Sequence, residues 1–283
     1  MKQDADIEAQ YNALAGRPDY GLAVLPDWTR RSAAYRAAAP CSLDVVYGPG
    51  PRERLDVFPA ADASRRPTLV YFHGGYWQRG DKSLYSFIAE PFVKNGVSVV
   101  IVNYDLCPAV SLSHITARAR GALAWIWRHA GRLGLSAGQL FVMGHSAGGH
   151  LAAMIMAADW PAIGSGLPQD LVKGGIPISG VYELAPLRRT SINDALQMDG
   201  TEARELSPVN HPPHPLAPQL VVCGGAESAE FHRQADLYSR RYATSERPIE
   251  RHTVPGCDHF DILNELARES SAFFGKALRL AGA

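Results

Sequence analysis

At 283 residues the chain suits one large α/β domain or two small ones. Lys plus Arg and Asp plus Glu balance at 28 each, so nothing favours nucleic acid or an anionic membrane surface as a partner. A 46% hydrophobic, 20% charged composition is that of a globular protein with a sizeable core. Cys41, Cys107, Cys223 and Cys257 are scattered without a Cys-x-x-Cys pair, which predicts reduced thiols and a cytoplasmic protein. The polar start of the chain has no signal-peptide apolar region, and no apolar run is long enough to span a bilayer.

Residues 1–40 mix helical patches with Pro and Gly. They read as a helical arm laid over the domain or over a partner subunit, the latter making the chain a homodimer. Residues 41–283 read as the main domain. Leu43–Tyr47 and Arg54–Phe58 alternate around Gly48-Pro49-Gly50-Pro51, the pattern of a β-hairpin. Thr68–Phe72 is a continuous apolar strand running into His73-Gly74-Gly75-Tyr76-Trp77. Two glycines directly after a buried strand let backbone amides turn toward a ligand. Ser83–Asn95 predicts a helix, Val97–Val102 a β-branched strand, and Ser113–Leu133 a long helix with Ala, Trp and Ile on one side. Trp125 and Trp127 read as packing residues.

Gln139–Met143 is a buried strand, and Leu151–Ala158 is helical. Between them stands Gly144-His145-Ser146-Ala147-Gly148, a Gly-x-Ser-x-Gly in the strand-to-helix context that presents a serine on a sharp turn. Gly174–Ser179 is the next strand. Residues 185–217, rich in Pro, read as a small cap-like excursion with a helical piece at Ile192–Met198. His211 and His214 lie in it, but their spacing and Pro-rich context fit a solvated turn rather than a metal site. Gln219–Cys223 and Ile249–Val254 are strands, Ser228–Tyr242 is a helix, and Asp261–Leu278 closes the chain as another. A hairpin followed by repeated strand–helix units predicts a mostly parallel sheet with helices on both faces.

The chemistry assembles in chain order. A serine hydroxyl needs a base and a carboxylate to hold that base. Ser146 is the nucleophile candidate. His259, between the last strand and the last helix, is the base candidate. Glu227 follows the penultimate strand, where the acid belongs; Glu230 is its rival, and Asp258 is adjacent to His259 on a loop where neighbouring side chains diverge. The amides of Gly74, Gly75 and Ala147 are the candidate oxyanion donors, each such donor being worth about 10²–10³ in rate. Tyr76, Trp77 and Tyr182 are candidates for an aromatic wall around a flat aryl group. No cofactor or metal is expected.

Tyr71–Gln78, Gly144–Gly148, Ser179–Leu184, Glu230–Gln234 and Asp258–Phe260, in that order, resemble the kynurenine formamidase (arylformamidase) family of α/β-hydrolases, related to hormone-sensitive-lipase-like esterases. His-Gly-Gly-Tyr-Trp is more specific to it than the His-Gly-Gly-Gly of those esterases. The resemblance implies an α/β-hydrolase fold and metal-free hydrolysis of N-formylkynurenine and aryl esters. It also implies Ser146 as nucleophile, His259 as base and Gly74, Gly75 and Ala147 as oxyanion donors. The family's acid is an Asp; this sequence has Glu227 there. An N-acylarylamine amidase or aryl carboxylesterase is the alternative activity, and a small aryl amide or ester the expected ligand.

Overall fold

The apolar and the alternating runs form eight strands: β1 Ser42–Val46, β2 Arg54–Phe58, β3 Thr68–Phe72, β4 Ser98–Val102, β5 Leu140–His145, β6 Val172–Ile178, β7 Gln219–Gly224 and β8 Ile249–Val254. The computed structural model describes residues 3–214, 217–246 and 248–282. All eight strands join one sheet in the order β1-β2-β4-β3-β5-β6-β7-β8. β1 and β2 pair antiparallel, as does β2 with β4; every other pairing is parallel. This is the α/β-hydrolase fold. Among the described residues no helix is long and apolar enough to cross a membrane.

Strand alternation sorts the core into two layers. Val70, Phe72, Val100, Val102 and Val142 face one side, and Leu69, Tyr71, Val99, Ile101 and Met143 the other. The helices are α1 Ala5–Tyr11, α2 Leu25–Ala38, α3 Ala89–Lys94, α4 Leu112–His129, α5 Ala147–Met156, α6 Trp160–Ile163, α7 Asn193–Leu196, α8 Gly200–Glu205, α9 Ala229–Tyr242, α10 Asp261–Leu266 and α11 Ala272–Leu280. The first layer is closed by α4, α5 and α9, the second by α2, α3, α10 and α11. All four cysteines are free thiols.

Two helices expected from sequence are shorter than the pattern implies. Over 83–95 the α-helix is only α3, preceded by 3₁₀ turns at Lys82–Leu84 and Ser86–Ile88. Pro91 has no amide to donate to residue 87, so it is tolerated only in the first turn of a helix that starts at Ala89. The closing helix breaks into α10 and α11, because Ser271 caps the second one, its Oγ accepting from Phe274 N at 2.9 Å.

The arm 1–40 contains α1, a π-helical turn at Tyr20–Val24, and α2. Tyr11 and Trp28 are fully buried against the rest of the chain. In the stretch 185–217, α7 and α8 sit among 3₁₀ turns; residues 215 and 216 lie outside the described residues. His211 Nε2 donates to the Glu205 carbonyl at 2.6 Å.

Because β3, β5, β6, β7 and β8 run parallel, their carboxyl ends share one edge of the sheet. The segments that leave them, from His73, Ser146, Ser179, Gly225 and Pro255, are thereby gathered together.

Candidate active site

Ser146 sits between β5 and α5 with φ 56° and ψ −118°, a conformation that costs of order 1–3 kcal/mol for a residue with a side chain. Its own amide is anchored to the Ile178 carbonyl at 2.8 Å. The turn is possible because Gly148 lets α5 press onto β3: a Cβ there would stand 2.0 Å from the Phe72 carbonyl oxygen. Ser146 faces a cavity of about 380 Å³, into which Gly74, Gly75, Tyr76, His145 and His259 also look.

Gly74 abuts the serine: a Cβ on it would come within 3.1 Å of Ser146 Cβ. The next three residues, Gly75, Tyr76 and Trp77, all have positive φ, at 120°, 50° and 57°. At Gly75 a side chain would strike the Arg79 carbonyl oxygen at 2.2 Å. Among the described residues the amides of Gly74 and Gly75 donate no hydrogen bond to the protein. Ala147 is the first residue of α5, so its amide has no partner inside the helix and lies at the positive end of the helix dipole. Three donors are thus left open beside one hydroxyl.

His259 lies on the loop between β8 and α10. Its Nδ1 is 2.9 Å from Glu227 Oε2. The Glu227 side chain is buried, and its other oxygen accepts from Ser179 Oγ and, at 2.7 Å, from the Gly224 amide. Burial alone would raise the Glu227 pKa. The charge of His259 and the hydrogen bonds from His259, Ser179 and Gly224 more than offset it, so the carboxyl is held below its ordinary value. A carboxylate can only accept, so His259 carries its proton on Nδ1 and turns Nε2 away from Glu227. No hydrogen bond joins the Ser146 hydroxyl to the His259 ring; both face the same cavity, and catalytic hydrogen bonds in unliganded sites are often long.

The other acidic candidates are engaged elsewhere. Glu230 accepts from Tyr11 Oη at 2.6 Å and is paired with Arg233. Asp258 accepts from the amides of Phe260 and Asp261 and forms an ion pair with Arg17 at 2.5 Å.

The family model described as BD-FAE matches residues 55–160, which include the glycine loop and the serine turn. A kynurenine formamidase of Salmo salar is 34% identical over 87% of this chain and 82% of its own. The chain belongs to the kynurenine formamidase family. A kynurenine formamidase of Danio rerio is 30% identical over 100% of this chain and 97% of its own. Among solved structures, a putative thioesterase from Silicibacter sp. tm1040 superposes with a TM-score of 0.81 at 29% identity, covering 98% of both chains. An esterase of Pyrobaculum calidifontis shares the fold, with a TM-score of 0.72 at 21% identity over 91% of this chain and 90% of its own. With these relatives, the chain is a hydrolase of the amidase and esterase kind.

Two expected wall residues of this kynurenine formamidase relative do not reach the cavity. Trp77 is fully buried, its ring edge-on to His150 at 4.9 Å. Its positive φ swings the indole into the layer under α5. Tyr182 is equally buried and stacks on Tyr238 of α9 at 4.6 Å. Only Tyr76 of the three lines the cavity, its hydroxyl donating to the Tyr11 carbonyl at 2.6 Å. The remaining aromatic wall comes from Tyr11, Tyr20 and Trp28 of the arm, Tyr85, and Phe260.

Three further residues support the site without having been singled out from the sequence. His145, inside the Gly-x-Ser-x-Gly, donates from Nε2 to the His259 carbonyl at 2.8 Å and so pins the His259 backbone. Burial, and then the nearby His259 charge, push its pKa down to about 3, so it stays neutral. Ser179 supports Glu227, and Arg17 bridges Asp258 and Asp261 at 2.5 and 2.7 Å on either side of the His259 loop. A polar residue ending an apolar strand was the available signal for His145 and Ser179; nothing local marks Arg17.

Proposed function

We propose that this chain is a serine hydrolase of N-formyl arylamines, with N-formylkynurenine as leading substrate. The observation that carries the reading is the 2.9 Å contact between His259 Nδ1 and Glu227 Oε2, on the cavity that holds Ser146. His259 Nε2 takes the proton of the Ser146 hydroxyl as its oxygen attacks the formyl carbon. Glu227 stabilises the imidazolium that results and fixes the ring. The carbonyl oxygen, now anionic, accepts from the amides of Gly74, Gly75 and Ala147. Collapse breaks the C–N bond, and His259 returns the proton to the departing aniline nitrogen, a poor leaving group unless protonated. Formyl-Ser146 remains. Water, deprotonated by His259, attacks it and releases formate. Residues 1–40 act as an arm that completes the cavity over a single hydrolase domain.

The second reading is an aryl carboxylesterase or N-acylarylamine amidase on the same residues, favoured by the esterase fold neighbours. Steady-state rates on N-formylkynurenine, N-acetylanthranilate and p-nitrophenyl esters of growing acyl length separate the two. The formamidase reading expects formate release and a steep fall in kcat/KM with each added acyl carbon. Equal rates on long esters, without formate release, would replace it with the esterase reading.

A further inference from the structure

Besides histidines, the cavity lining carries one carboxyl side chain, Glu8, and one guanidinium, Arg79. Glu8 is already met: Ser191 gives it an amide at 2.7 Å and a hydroxyl at 2.6 Å. Arg79 is not. Among the described residues its side chain makes no hydrogen bond and no ion pair. The arginines around it are committed, Arg17 to Asp258 and Asp261, and Arg52 to Asp81 and to backbone carbonyls.

Arg79 is exposed, and its backbone is held beside the reacting centre. Its amide donates to the Gly75 carbonyl at 3.1 Å, so it closes the turn that carries the open amides of Gly74 and Gly75. Its carbonyl packs where a Gly75 side chain would otherwise lie. Arg79 lines the cavity together with Tyr20 and Tyr76. A planar, always-charged fork among aromatic rings matches a carboxylate carried by an aryl ligand.

We infer that Arg79 is the carboxylate-recognising residue of this cavity, so that the preferred substrate is an aryl amide bearing a carboxylate beyond its ring. The inference rests on the hydrolase reading above and narrows its substrate class. Serine, histidine and the open amides act on the acyl group; Arg79 selects the amine half.

The test compares N-formylkynurenine, whose carboxylate ends a side chain ortho to the formamide, with its methyl ester, both followed by formate release. The quantity read is the ratio of the two kcat/KM values on one preparation, so the active fraction cancels. The wild-type chain is expected to favour the free acid by about tenfold or more, the scale of a charge-assisted hydrogen bond. R79M is expected to bring the ratio close to one, mostly through KM. R79K keeps a point charge without the fork and is expected to fall between. A wild-type ratio near one, or a ratio unchanged in R79M, overturns the role of Arg79 and leaves the formamidase reading standing. No formate from either compound overturns that reading and this inference with it.

Discussion

The cavity has two halves that the chain builds in different ways. One half is the carboxyl edge of the sheet, where Ser146, His259, Glu227 and the Gly74–Gly75 turn each leave a buried strand. The other is the arm, where Tyr11, Tyr20 and Trp28 cover the first half from residues more than 40 positions upstream of the β3 turn. The edge half is held by burial and backbone: the Ser146 amide on Ile178, the His145 ring on the His259 carbonyl, the Gly224 amide on Glu227. The arm half is anchored by burial of Tyr11 and Trp28 and, in addition, by polar side chains that reach distant segments: Arg17 on Asp258 and Asp261, Asp4 on Arg189, Glu8 on Ser191, Tyr11 on Glu230. The groups proposed to react thus stand at the ends of buried strands, whereas the rest of the cavity wall depends on contacts that exist only once the fold is complete.

The largest effect should come from the edge half. E227Q keeps the shape but removes the charge that orients His259, and is expected to cut kcat by about 10³–10⁴-fold in steady-state assays. A loss under tenfold would mean that His259 is oriented without Glu227.

Protons offer a second way to separate the halves. His73, His145 and His150 all belong to the edge half or the layer beneath it. Burial pushes their pKa values down to about 4, 3 and 4. The unfolded chain takes up these protons as pH falls below 6.5, and the folded chain does not until about pH 4 at His73 and His150 and about pH 3 at His145. Stability is therefore full above pH 6.5 and falls as pH drops through that window, by about 1.4 kcal/mol per pH unit for each histidine. Glu227, with a lowered pKa, adds a further loss only below its usual range near 4.5. Urea unfolding at pH 7, 6 and 5 measures the slope; a flat profile would mean that these histidines are hydrated.

The arm half should respond more weakly. R17A removes the bridge beside the His259 loop and is expected to lower kcat about tenfold, the ion pairs being partly exposed and worth about 1–2 kcal/mol together. Unchanged kcat would separate the arm from the position of His259. E230Q should matter least, within about threefold, since Tyr11 and Arg233 lie outside the reacting groups.

This contrast also explains what was legible in the sequence. The strands were readable because each is a short run, apolar in the sheet's middle and alternating at β1, β2 and β8, with Gly or Pro turn signals nearby. The places of Ser146, Glu227 and His259 at strand ends followed from that. Trp77 and Tyr182 misled because a residue type does not say which way a side chain turns. At Trp77 a left-handed backbone aims the indole inward, and at Tyr182 stacking on Tyr238 does the same. The wall residues Tyr20 and Trp28 were illegible, since their part in the cavity depends on how the arm docks. Arg17 was invisible for the same reason, its partners being 241 and 244 residues away. The shortened α3 was marked by Pro91, which the helical pattern around it concealed.

Ser146, activated by His259, is the proposed nucleophile. Intact-protein mass spectrometry after treatment with a fluorophosphonate tests it most directly. A single phosphonyl adduct is expected, mapped to Ser146, with hydrolysis lost in proportion and no adduct on S146A. A fully active protein that gains no mass, or an adduct on another residue that tracks the loss of activity, would contradict it.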